Sequence, residues 1–146
     1  MEDISNKSAV LLSIFKRKGG EGDFTKIITT ENNANYINQL ELLDKDEKAW
    51  LCFKKDDLNW LLLTNKRILE EHESVKISIS FSDLIETSIA IQEEFSKKII
   101  NKEDSTQLSL RDRRGDRYVI KVEKGKPYEG VYQVLHHIAS KNQNLK

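Results

Sequence analysis

Net charge is the first thing missing from this sequence: Lys plus Arg number 24 and Asp plus Glu number 24 among 146 residues. A neutral total supplies no long-range field to draw nucleic acid or an anionic membrane, so neither is expected as the main partner. Cysteine is nearly missing too, with Cys52 alone. A single thiol excludes an intramolecular disulfide and a cysteine-built structural zinc site, and it suits a reducing compartment, so the expected location is cytoplasmic. No long apolar run exists. Residues 9–15, Ala-Val-Leu-Leu-Ser-Ile-Phe, come nearest and are far too short to span a bilayer. Glu2 and Asp3 precede this run, and Lys16, Arg17 and Lys18 follow it without a small-residue cleavage site. That charge order is the reverse of a secretory leader and reads as a short helix docked on the domain.

Cofactor chemistry lacks a foothold as well. Gly19-Gly20-Glu21-Gly22 is the one glycine-rich stretch, but no strand precedes it and Asp23-Phe24-Thr25 follows where a phosphate loop needs Gly-Lys-Ser/Thr. It reads as a flexible joint. His136 and His137 are adjacent, so on a helix they point about 100° apart and cannot easily share a metal. No cofactor and no metal are expected.

What is present is alternation. Residues 1–43 read as an N-terminal helical extension packed on the domain, with Tyr36, Ile37, Leu40 and Leu43 at helix-like spacing. From Trp50 onward the pattern becomes strands. Trp50-Leu51-Cys52-Phe53 and Trp60-Leu61-Leu62-Leu63 flank a polar loop, followed by a run from Arg67 to His72. In residues 75–81, Val75, Ile77, Ile79 and Phe81 alternate with polar residues at strict period two. Residues 85–91 put Ile85, Ile89 and Ile91 on one face, and residues 92–102 are a charged loop or short exposed helix. Residues 106–110 and 118–122 alternate again around a turn that contains Arg114-Gly115-Asp116. Tyr128, Val131, Tyr132, Leu135, Ile138 and Ala139 then form one apolar helical stripe, with Pro127 in the first turn. The fold class predicted is mainly β with α: a curled antiparallel seven-stranded barrel capped by a C-terminal α-helix, with an extra N-terminal helical segment.

The segment Trp60-Leu61-Leu62-Leu63-Thr64-Asn65-Lys66-Arg67-Ile68-Leu69 is similar to the apolar-strand, Thr-Asn-x-Arg, apolar signature at the second hairpin of bacterial pleckstrin-homology-like (PH-like) domains. Residues 75–89 resemble the strand, turn and strand that follow it there. The resemblance spans residues 44–141 and implies a PH-like barrel domain over residues 44–146. It implies no catalysis, only a scaffold that binds phosphoinositides, peptides or other proteins. Residues 1–43 and the length of residues 92–102 depart from the minimal pattern.

Candidate sites are few. Lys54 and Lys55 occupy the first hairpin loop, where lipid-binding relatives place basic residues, but Asp56 and Asp57 follow at once and favour a solvated loop. Arg113, Arg114 and Arg117 cluster at another hairpin tip, as an anion or acidic-partner site or as a solvated turn. Trp50 and Trp60 read as core anchors. The expected role is therefore a non-catalytic binding module, of protein-interaction or inhibitor/immunity type, with another protein as partner. Two further readings are peripheral binding to an anionic membrane through the N-terminal helix with Lys16, Arg17 and Lys18, and a Cys52-dependent enzyme with His72 as base.

Overall fold

The computed structural model describes residues 4–90, 93 and 105–143. The chain begins with helix α1 (Ile4–Lys18) and a short strand β1 (Thr25–Ile27). A 3-10 turn at Asn33–Tyr36 and a one-turn helix α2 (Ile37–Leu40) follow. Four hairpin-linked strands come next: β2 (Ala49–Asp56), β3 (Asn59–Thr64), β4 (Arg67–His72) and β5 (Val75–Ser80). A 3-10 corner at Phe81–Asp83 leads to β6 (Leu84–Ile89), β7 (Gln107–Asp112) and β8 (Arg117–Lys121), and the last helix is α3 (Lys126–Gln143). Ile91 and the charged stretch 92–102 lie outside the described residues, apart from Glu93.

The strands form two antiparallel sheets, β1-β2-β3-β4-β5 and β6-β7-β8, rather than a closed seven-stranded barrel. The helical corner at Phe81–Asp83 turns the chain between them, and no ladder joins the sheets. The eighth strand, β1, escapes pattern reading because three residues are too few to show a period. It pairs with the outer edge of β2, Thr25 opposite Phe53 and Ile27 opposite Leu51.

Alternation places Ile77 and Ile79 of β5 inward and Lys76, Ser78 and Ser80 outward. In β3 both faces are buried. Leu61 and Leu63 enter the main core, while Trp60 and Leu62 join Tyr36, Cys52 and Leu69 in a second cluster on the outer face. Ile28, Leu40, Leu43 and Ala49 pack on that second cluster, so the segment between β1 and β2 serves as its cover. A strand covered on both sides loses polar alternation, which explains the unbroken Trp-Leu-Leu-Leu run.

The main core lies between the sheets and the two long helices. Tyr128, Val131, Val134, Leu135, Ile138 and Ala139 of α3 are buried in it, and so are Leu11, Ile14 and Phe15 of α1. Phe15 is fully buried and meets Trp50 edge-on at 6.3 Å; burying such a side chain contributes about 1.5–3 kcal/mol. The turn read as a flexible joint is instead a close crossing. A Cβ on Gly19 would stand 2.3 Å from the Lys126 carbonyl oxygen, and one on Gly130 would stand 2.6 Å from the Phe15 ring. Glycine is required there because backbone meets backbone and ring, not because the chain must move.

Thr64-Asn65-Lys66-Arg67 acts as a hinge between hairpin and cover. The Thr64 hydroxyl accepts the N–H of Lys66 and Arg67, both at 3.0 Å, and donates to Glu47 at 2.7 Å. Arg67 grips the same buried carboxylate at 2.9 and 3.0 Å. Burial acts to raise the Glu47 pKa, but Arg67, Thr64 and the Asp44 N–H together hold it below the usual carboxylate value.

Candidate functional site

Where the β2–β3 and β4–β5 hairpins turn, the sheets leave a recess of about 550 Å³ against the stretch that follows β8. Its floor comes from β4. Ile68 points into the core, and alternation sends Glu70 and His72 to the same side. Glu70 is only 2% exposed. Its Oε1 lies 2.8 Å from His72 Nδ1, and its Oε2 accepts the backbone N–H of Lys121 in β8. The carboxylate thus satisfies a backbone donor on β8, an edge strand of its sheet. Burial pushes the Glu70 carboxyl up to about 8, against the pull of the Lys121 N–H and the Lys121 charge.

Phe53 packs at the edge of the core beside this pair, Trp60 is buried behind it, and Phe24 stands at the rim, 47% exposed. The lining holds six carboxylates against three lysines, Lys55, Lys121 and Lys124. Two of the acids are structural. Asp56 accepts the N–H of Leu58 at 2.8 Å and the Asn59 amide at 2.9 Å, which closes the β2–β3 turn. Glu123 accepts the N–H of Asp23 and Phe24 and the hydroxyl of Thr25, at 2.7–3.0 Å. Asp23, Glu71 and Glu73 have no side-chain partner among the described residues, so the charge left over at the rim is negative.

Sequence-predicted site residues separate into three places. Lys55 lines the recess. Lys54 turns away, its ammonium held by the Asn35 carbonyl at 2.8 Å and Asp57 at 3.1 Å. Arg113, Arg114 and Arg117 lie at the other end of the β7–β8 hairpin, about 15–20 Å along its five or six residues. There each arginine has a protein acceptor. Arg113 donates to the Ser82 carbonyl at 2.8 Å, Arg114 to Asp112 at 3.3 Å, and Arg117 to both oxygens of Glu93 at 3.0 Å. Gly115, at φ +89°, closes the tight turn expected at Arg114-Gly115-Asp116.

Cys52 and His72 do not meet. The thiol is fully buried in the outer cluster, where burial pushes it up to about 12, while His72 belongs to the inner side of β4. A thiol so poised remains protonated at neutral pH. Among the described residues, no three His, Cys, Asp or Glu side chains come together in a way that could hold a metal ion. No helix there is long and apolar enough to cross a membrane.

Glu70 escapes sequence reading, which offers His72 only as a base for Cys52, because Leu69-Glu70-Glu71-His72 looks like the polar end of an edge strand. The available signal was the register: Glu70 follows Ile68 by two, on the face that Ile68 buries. Comparison with known proteins finds no matching family model and no significant match among curated proteins or solved structures.

Proposed function

We propose that this chain is a non-catalytic binding module on a PH-like scaffold, acting as an inhibitor or immunity-type partner of another protein, and that the recess beside Glu70 and His72 is where the partner docks. One observation carries the reading: a large, half-exposed aromatic, Phe24, stands at the mouth of a built recess whose lining holds six carboxylates against three lysines. An exposed aromatic beside a pocket is the arrangement that concentrates binding energy in protein interfaces. The fitting partner surface offers an apolar side chain flanked by lysine or arginine.

Docking on a membrane through α1 has less in its favour, because Leu11, Ile14 and Phe15 are turned into the core. The Cys52 enzyme reading also has less in its favour, because Cys52 lies in the outer cluster and His72 on the inner side of β4.

Affinity capture from the native cell with the intact protein as bait tests the proposal. One protein should be recovered in stoichiometric amount, and Phe24→Ser or Glu71→Lys should release it while Arg114→Gln retains it. Recovery that ignores both recess variants moves the site elsewhere, and recovery of no protein at all sinks the module reading.

A further inference from the structure

The two helices carry charge unlike the rest of the molecule. Their sequences hold six cations, Lys7, Lys16, Arg17, Lys18, Lys126 and Lys141, and one carboxylate, Glu129, so the remainder of this neutral chain has five more acids than bases. Between α1 and α3 runs an open crease of about 380 Å³. One face of α3 lines it with Gln133, His136, His137 and Ser140, and one face of α1 supplies Arg17 and Lys18 above Val10 and Ile14. No carboxylate lines it, Glu129 included.

The polar groups meet no carboxylate among the described residues that line the crease. Arg17 Nε is anchored on the Ser13 hydroxyl at 3.4 Å, which leaves its terminal nitrogens without an acceptor among the described residues. His136 is stacked on Tyr132, centroids 5.7 Å apart. Lysine and arginine in the last turn of α1 complement that helix's dipole and need no ligand to explain them. The same argument does not reach His136 and His137, which sit in the body of α3 and turn toward those cations.

We propose that this crease is an oxyanion site for a phosphate group, bound by the Arg17 guanidinium and Lys18 ammonium from one side and by His136, His137 and the Ser140 hydroxyl from the other. It is independent of the recess. Every polar side chain lining the crease offers a donor, and Arg17 presents the planar fork that matches phosphate oxygens. The field at His137 agrees: burial first, then the charges of Lys141 and His136, hold its imidazole below the usual range. Among the helices' other ionisable groups, Lys16, Lys126 and Lys141 add to this positive field and only Glu129 opposes it. An anion seated there raises the His137 pKa, so binding takes up a proton and strengthens as pH falls, by at most about tenfold per unit between the free and bound pKa values.

Titration of the intact protein with inorganic phosphate, at ionic strength fixed with chloride, tests this through the histidine ring signals in NMR. Saturable shifts at His136 and His137 are expected, with His137 titrating at higher pH when phosphate is bound. Arg17→Gln combined with Lys18→Gln, both on the exposed side of α1, should weaken binding about tenfold or more, while Arg114→Gln leaves it unchanged. Phosphatidylcholine vesicles with and without phosphatidic acid separate the sources. Sedimentation that phosphate competes away identifies a lipid headgroup, and phosphate binding without sedimentation identifies a soluble phosphate ester. Shifts that chloride reproduces, or that survive in the double variant, overturn the proposal.

Discussion

The recess and the crease sit in one neutral chain and have opposite linings. Around the recess, side chains come from five separate stretches of sequence, its buried acid is fully hydrogen-bonded, and the unpaired charges are negative. Around the crease, two helix faces suffice, no acid contributes, and the cations meet no carboxylate among the described residues. Total charge averaged these away. A helix stripe gathers residues three and four apart, so local sequence alone makes the crease basic, whereas the recess owes its chemistry to strand register and to contacts across the sheets.

The largest effect that would break this contrast is expected from Phe15→Ala. It removes a fully buried ring at the α1–α3 crossing and should cost about 3–5 kcal/mol in urea denaturation. Loss of phosphate-dependent histidine shifts should accompany it, and unchanged shifts would mean that the crease does not need α1. Next comes Glu70→Ala, which leaves the Lys121 N–H without this acceptor and removes the contact to His72, an expected loss of about 1–3 kcal/mol.

Glu70→Gln gives a subtler reading. With a folded pKa raised from 4.5 to about 8, Glu70 contributes stability in full below pH 4.5, and that contribution is lost as pH rises to 8. Urea midpoints should therefore decline across this window in the parent, and the glutamine variant should flatten that component. An equally sloped variant would assign the pH dependence to other groups. The smallest effect belongs to the tip that sequence reading singled out: Arg114→Gln, at an arginine side chain 77% exposed whose partners are Tyr118, Asp112 and Asp116, should change neither melting nor partner capture.

Much of the architecture was legible. Strict alternation in β5 and the apolar stripe of α3 each announce one covered face, and hairpin turns announce antiparallel order. The segment before β2 was not legible as a cover, because its purpose is set by the outer face of β3, where Trp60 and Leu62 need burial. The crossing at Gly19 was misread, since a glycine that admits backbone contact spells the same as one that bends. Among the residues that line the recess, sequence reading singles out Lys55 and His72 but not Glu70. An acid whose partner is a backbone N–H 51 residues later leaves no local trace.

Glu123 bears on the order in which the molecule assembles. Its carboxylate holds the amides of Asp23 and Phe24 across separations of 100 and 99 residues. Contacts so distant in sequence carry a high closure entropy and tend to form late. These two amides are closed only once the chain past β8 is in place, and their exchange rates report that closure.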